Sequence, residues 1–289
     1  MRKLLSRSML FLAILILVLA GVTYLFLGQT MFGLAPQGAR LELVKQSPHF
    51  ADGEFKNRRE TPTLTEGYTY AGVMYEFMLG GKSRKKPSAT LPSKKIDLKA
   101  LRPDEDVLVW FGHSSYFIQI DGKRVLVDPV LSGAASPIRM TTPAFNGTDP
   151  YAISDVPDID YVFISHDHWD HLDHKTLTEL QPRIGKIICG LGVGEHLELW
   201  GFTKDQIIEQ DWQQKTTLAT GFISHTFPAR HFSGRGFARN KTLWASYVLQ
   251  TPTMKIYIGG DSGYDTHFAE IGKEFGSIDL AILENGQYD

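Results

Sequence analysis

The run Ser165-His166-Asp167-His168-Trp169-Asp170-His171 packs three imidazoles and two carboxylates into positions 166 to 171. Imidazole nitrogen and carboxylate oxygen are the donors that zinc and related divalent cations accept where no thiolate is at hand. The only cysteine is Cys189, so thiolate zinc frameworks and intramolecular disulfides are both excluded. In a fixed turn, His166 and His168 can face one cation while Asp170 and His171 face a second. His231, in Pro228-Ala229-Arg230-His231-Phe232-Ser233-Gly234-Arg235, would complete a three-nitrogen set with the first pair. Asp261 stands in Ile258-Gly259-Gly260-Asp261-Ser262-Gly263, where glycines let main chain come close to a bound group, and a carboxylate there can bridge both cations. Two bridged ions ~3.5–4 Å apart lower the pKa of a shared water toward ~7 and steady charge on the attacked group. The expectation is hydrolysis by a metal-bridged hydroxide with no protein nucleophile. Asp170 and Asp261 are the carboxylates placed nearest the reaction.

Three more residues have a candidate role at such a centre. Asp128, ending a predicted strand, either accepts a hydrogen bond from the far nitrogen of a ligand histidine or is a turn carboxylate before Pro129. His113 follows a strand and either lines the pocket or is a buried structural histidine. Arg235 either pairs with a phosphate oxygen through its guanidinium fork or is an exposed loop residue. Asp167 and Trp169 alternate with the ligands and are expected to point away.

The elements that must position these residues begin at Val107. Val107 to Phe111, Tyr116 to Ile120 and Arg124 to Asp128 read as strands, and Asp121-Gly122 between the last two is a tight-turn signal. Tyr161 to Ile164 is a short buried strand that delivers the histidine cluster. Lys175 to Leu180 reads as a helix, and Lys186 to Cys189, Ala245 to Gln250, Lys255 to Ile258 and Asp279 to Leu283 read as strands. Strands interspersed with helices, opening with hairpins, predict an α/β sandwich with helices outside two packed sheets.

At 289 residues, 43% hydrophobic and 11% aromatic, the chain can bury a sizeable core. A net charge of −2 argues against general nucleic-acid binding, which calls for excess Lys and Arg. Met9 to Leu27 is almost wholly apolar and near the ~20 residues needed to cross a bilayer. Arg2, Lys3 and Arg7 precede it, so the N-terminus is expected to stay cytoplasmic and the rest to be carried across. A cleaved signal peptide is the alternative, with Val18 and Ala20 suited to a cleavage site. We divide the chain into an anchor or signal segment (1–28), a lead-in (29–101) and a hydrolase domain (102–289). Within the lead-in, Lys82, Arg84, Lys85 and Lys86 form a basic cluster that either faces water or meets anionic headgroups.

His-x-His-x-Asp-His followed by a distant His and Asp resembles the signature of the metallo-β-lactamase superfamily. Phe111-Gly112-His113-Ser114-Ser115, Leu126-Val127-Asp128-Pro129, His231-Phe232-Ser233-Gly234-Arg235 with Leu243-Trp244, and Gly260-Asp261-Ser262-Gly263-Tyr264 resemble the branch containing the N-acyl-phosphatidylethanolamine-hydrolysing phospholipase D. The resemblance implies an αββα sandwich of two mixed sheets flanked by helices, two Zn2+ ions and a phosphodiester of a phospholipid-like substrate. It implies that His166, His168 and His231 hold the first zinc, that Asp170 and His171 hold the second, and that Asp261 bridges. Other divalent transition metals suit the same donors. Members of that branch carry a last metal-binding His downstream of the bridging Asp. This chain stops in Glu284-Asn285-Gly286-Gln287-Tyr288-Asp289, so a missing C-terminal part and a weaker second site are expected, with His267 read as a surface residue. The alternatives are a hydrolase of a lactam, lactone or thioester on the same fold, or a metal-binding envelope protein whose chemistry has lapsed. The expected location is the extracytoplasmic side of a membrane.

Overall fold

The computed structural model describes residues 2–62, 64, 66–80 and 86–285, with side chains from residue 8 onward. Lys82, Arg84 and Lys85 of the basic cluster, and the final run 286–289, lie outside the described residues.

The N-terminal helix α1 (Arg2–Leu27) contains the apolar segment Ser8–Leu27, long and apolar enough to cross a membrane and with no buried share. Next come α2 (Gly38–Gln46), the small hairpin β1 (Phe50–Ala51) and β2 (Glu54–Phe55), and α3 (Tyr70–Leu79). Parts of this lead-in pack against the strands and helices beyond residue 107. Val44, Phe55 and Leu98 are fully or almost fully buried, and Arg40 pairs with Glu195, Glu198 and Glu209.

A six-stranded sheet holds β3 (Val107–Gly112), β4 (Ser115–Ile120), β5 (Lys123–Val127), β6 (Ile159–Ile164), β7 (Ile184–Gly190) and β8 (Ile207–Gln210), in that order. Its first pairs are antiparallel and its last three parallel. A five-stranded sheet runs β13 (Leu280–Ile282), β12 (Lys255–Ile258), β11 (Ser246–Gln250), β10 (Phe222–Phe227), β9 (Lys215–Ala219), and is likewise mixed. Asp121 and Gly122 both take positive φ, 49° and 74°, closing the β4–β5 hairpin as the Asp-Gly pair requires.

Apolar alternation sorts the side chains into layers. Ile118 and Val125, Phe163 and Tyr161 face inward and meet Tyr247, Leu249, Ile256 and Ile258 of the second sheet. Their sequence neighbours Phe117, Leu126, Val162 and Ile164 face outward, onto Leu172 and onto α4 (His174–Leu180) and α5 (Gly194–Leu199). On the far side Phe227, Val248 and Tyr257 pack on Ile271 of α6 (His267–Phe275). The order is helix, sheet, sheet, helix, as the resemblance implies. Strand β4 is buried at all six positions because both its faces are covered.

Strands β8, β9 and β10 went unread in the sequence because polar residues interrupt them. Buried Gln210 accounts for this: it donates to Thr216 Oγ1 and accepts from Thr226 Oγ1, so polar side chains satisfy one another inside the sandwich.

Candidate metal centre

Strand β6 ends at Ile164, and the next seven residues turn across the ends of the parallel strands. There His166 Nε2 lies 2.8 Å from His168 Nδ1, and His231 Nε2 lies 3.2 Å from the same His168 nitrogen. The three nitrogens converge as one group. His113, Asp170 and His171 form a second, and His166, His171 and Asp261 a third, with the donor atoms of each within 4.8 Å of one another. All six residues expected to hold metal are thus brought together from three separate stretches of chain, with His113 beside them.

Asp128 organises the loop from beneath. Its carboxylate accepts from the Ser165 amide at 2.7 Å and from the Ser165 hydroxyl at 2.6 Å, and it lies 2.8 Å from His171 Nδ1. The Ser165 hydroxyl, spent as a donor on Asp128, can accept from His166 Nδ1 at 2.9 Å. Both imidazoles are thereby turned so that Nε2 faces the centre. His171 Nε2 is buried without a hydrogen-bond partner, 3.3 Å from Asp261 Oδ1. Such an orphan is what a ligand nitrogen leaves when the other ring nitrogen is held by a carboxylate. Asp128 takes a φ of 41°, a conformation that costs a non-glycine residue energy and that this network stabilises.

Gly260 brings Asp261 to the site. At φ +59° a Cβ would fall 2.5 Å from Ser165 Cβ, so only glycine allows the end of β12 to approach the histidine loop this closely. The close approach is therefore to protein, not to a bound group as expected from the sequence.

Burial sets the charge states. It pushes His166 well below the usual histidine value and, with repulsion from His168, brings His231 down to about 4. Those imidazoles are neutral at pH 7, with lone pairs available. His171 goes the other way: burial opposes protonation, but Asp128 and Asp261 raise it well above the ordinary value. Asp170 and Asp261 resist the upward push of burial through His113 and His171, and both sit below the usual carboxylate range. Together these donors, neutral nitrogen and ionised oxygen around an unpaired Nε2, suit two divalent cations.

Three expectations need correction or refinement. Arg235 does not face the cluster. It is buried, lies over Trp169 at 4.0 Å, and its N–H groups go to the main-chain carbonyls of Met31, Asp167 and Leu172, leaving no fork for a phosphate. His267 is not a surface residue. It opens α6 in a buried position 3.3 Å from Ser262 Oγ and belongs to none of the three donor groups. His113 does reach the centre, 2.9 Å from Asp170 Oδ2. Asp167 and Trp169 point away as expected, Asp167 accepting from Gly234 N and pairing with His196.

Two supporting residues escaped sequence reading. Ser165 could have been noticed as a hydroxyl abutting the cluster. Asn57 could not: it brackets the His231 main chain from 174 residues away, accepting from His231 N and donating to His231 O at 2.7 Å.

A model of the β-lactamase superfamily domain matches residues 123–289. An uncharacterized protein of Mycobacterium tuberculosis is 36% identical over 262 residues, covering 90% of this chain and 70% of its own length. The N-acyl-phosphatidylethanolamine-hydrolyzing phospholipase D 1 of Caenorhabditis elegans is 29% identical over 213 residues, 70% of this chain and 60% of that protein. A metallo hydrolase of Ignicoccus hospitalis superposes with a TM-score of 0.50 at 22% identity, over 63% of this chain and 71% of that one, and so shares the fold. With that fold, that domain match and those converging donors, the chain belongs to the metallo-β-lactamase superfamily of hydrolases.

Proposed function

We propose that this chain hydrolyses a phosphodiester of a phospholipid-like substrate, using two divalent cations, zinc foremost, held by His166, His168, His171, His231, Asp170 and Asp261. One observation carries the metal assignment: the donor groups share members, His166 and His171 each serving in two, so a single compact centre links nitrogen and oxygen donors. Bound there, the ions supply Lewis acidity and make water ionise near neutral pH. The protein's part is to keep the imidazoles of His166, His168 and His231 neutral, keep Asp170 and Asp261 ionised toward the centre, and lock His166 and His171 through Asp128 and Ser165. The C. elegans relative, named for hydrolysing N-acyl-phosphatidylethanolamine, supports the substrate class.

We read α1 as a retained anchor with the hydrolase domain on the extracytoplasmic side. Contacts at its end support a site held near the membrane: Phe26 packs on Phe32, and Phe32 on Trp169 within the histidine loop. The test is metal analysis of the purified full chain alongside turnover of bis(p-nitrophenyl) phosphate. About two equivalents of zinc with phosphodiester cleavage is the expected result. Turnover of a lactam or thioester alone would move the chain to another hydrolysis on this fold, and metal without any turnover would make it a lapsed enzyme. No bound metal, and indifference to His168→Ala, would end the proposal.

A further inference from the structure

Buried Arg235 grips the histidine loop from its outer side. Its Nη1 donates to the carbonyls of Asp167 at 2.9 Å and Leu172 at 2.6 Å, the two ends of the stretch that carries His168, Asp170 and His171. From its other edge, Nη2 and Nε donate to Met31 O at 2.8 and 3.1 Å. The guanidinium carbon lies 4.0 Å from the centre of the Trp169 ring, in the same stretch. Burial brings Arg235 down to about 10 while Asp167 and Asp173 hold it up, so it is charged at neutral pH and these bonds are charge-assisted.

Met31 belongs to the segment that leaves α1, and that segment is fixed at several points. Thr30 O accepts from Trp200 Nε1 at 2.8 Å, and Phe32 meets Trp169 edge-on at 5.0 Å. Leu34 N donates to His196 Nδ1 at 3.0 Å, which leaves the ring proton on Nε2 for Asp167 Oδ2, 3.2 Å away. His196 thereby ties the segment to the residue between two candidate ligand histidines. Gly33 permits the approach: at φ +72° a Cβ would fall 2.0 Å from His196 Nδ1.

We infer that residues 30–34 are a positioning strut of the metal centre, clamped by Arg235 and His196 so that the histidine loop keeps the shape in which its donors converge. Arg235, His196 and Gly33 belong to none of the donor groups and act through the loop's main chain and Asp167. Partners that orient ligands from behind are worth about 10–100-fold in metal affinity. The inference rests on the two-cation reading of the centre and not on its substrate. The strut begins at Thr30, so it stays with the domain whether α1 is retained or the chain is cut after Ala20. Coupling of this kind is reciprocal: a segment that favours metal binding must itself be stabilised by the metal.

Zinc affinity of the full chain in detergent is measured by competition with a chromophoric chelator. Gly33→Ala and Arg235→Lys should each weaken it by about 10-fold or more, the second because an ammonium keeps the charge but cannot span Met31, Asp167 and Leu172. The visible bands of cobalt(II) bound in place of zinc should shift in both, since they report ligand geometry and not fold stability. Gly38→Ala is the control: φ +52° imposes a similar backbone cost, yet a Cβ there meets nothing within 4 Å, and affinity should match that of the parent. In the parent, zinc should slow amide exchange across residues 30–35 as well as in the loop. Parental zinc affinity in Gly33→Ala, or exchange in residues 30–35 indifferent to zinc, overturns the inference. Should Arg235→Lys fail to fold, those two results decide it. A parent that binds no zinc sinks the two-cation reading, and this inference with it.

Discussion

The two sides of the candidate metal centre share one loop yet sit in different media. His166 is buried among His168, His231 and the sheet ends, and the nitrogens on that side stay neutral because burial disfavours their charge. On the other side Asp170 and His113 are a third and a half exposed, and His113 lines both cavities there. His171, fully buried, joins the two. The contrast teaches a division of labour: the enclosed side fixes geometry, while the open side admits water and substrate and tolerates more change.

That division can be broken most severely at the enclosed side. Replacing His168 by Ala removes the nitrogen nearest both His166 and His231. It should cost about one equivalent of metal and on the order of 10³-fold in phosphodiester turnover, the several kcal/mol a Lewis acid supplies. Metal analysis and steady-state kinetics read both losses, and a fully loaded, fully active variant would erase the contrast. Asp128→Asn comes next. It keeps the shape but weakens the hold on His171 and Ser165, with an expected loss of about 10–100-fold in metal affinity. Competition with a chromophoric chelator measures that.

Acid sharpens the comparison in the metal-free protein. His231 titrates near 4 when folded against an ordinary 6.5, so the unfolded chain takes up protons first as pH falls. Stability from this group is full above pH 6.5 and is lost between 6.5 and 4, by about 3 kcal/mol. His171, raised instead, contributes stability that is lost as pH climbs through its folded value. Denaturation midpoints across pH should therefore decline on the acid side, and His231→Gln should flatten that arm. The smallest effect is expected at His113. Its contact with Asp170 is half exposed, and removing it by His113→Ala should change metal affinity by less than about fivefold. A larger loss would mean that the open side fixes geometry too.

The candidate donors were legible because divalent-metal chemistry restricts residue types: three histidines and two aspartates in six positions have few other uses. Strands β4 and β6 were legible from continuous apolar runs. Strands β8 to β10 were not, since Gln210, Thr216 and Thr226 look like loop residues until they pair with one another inside the sheet. Arg235 misled for a related reason. A guanidinium near a ligand histidine suggests phosphate, and only the folded chain reveals that Met31, Asp167 and Leu172 carbonyls consume it.

The sequence by itself determined which residues are candidate metal donors and where the most apolar strands of the sandwich lie, because donor chemistry and apolar periodicity are local properties. Tertiary structure alone decided how the ligands are held and what lies next to them. The Asp128–Ser165 network, the Asn57 bracket on His231 and the Arg235 clamp on Met31 and Leu172 each join residues tens to hundreds of positions apart. No local pattern records such a pairing, since it exists only after packing has brought the partners within hydrogen-bond reach.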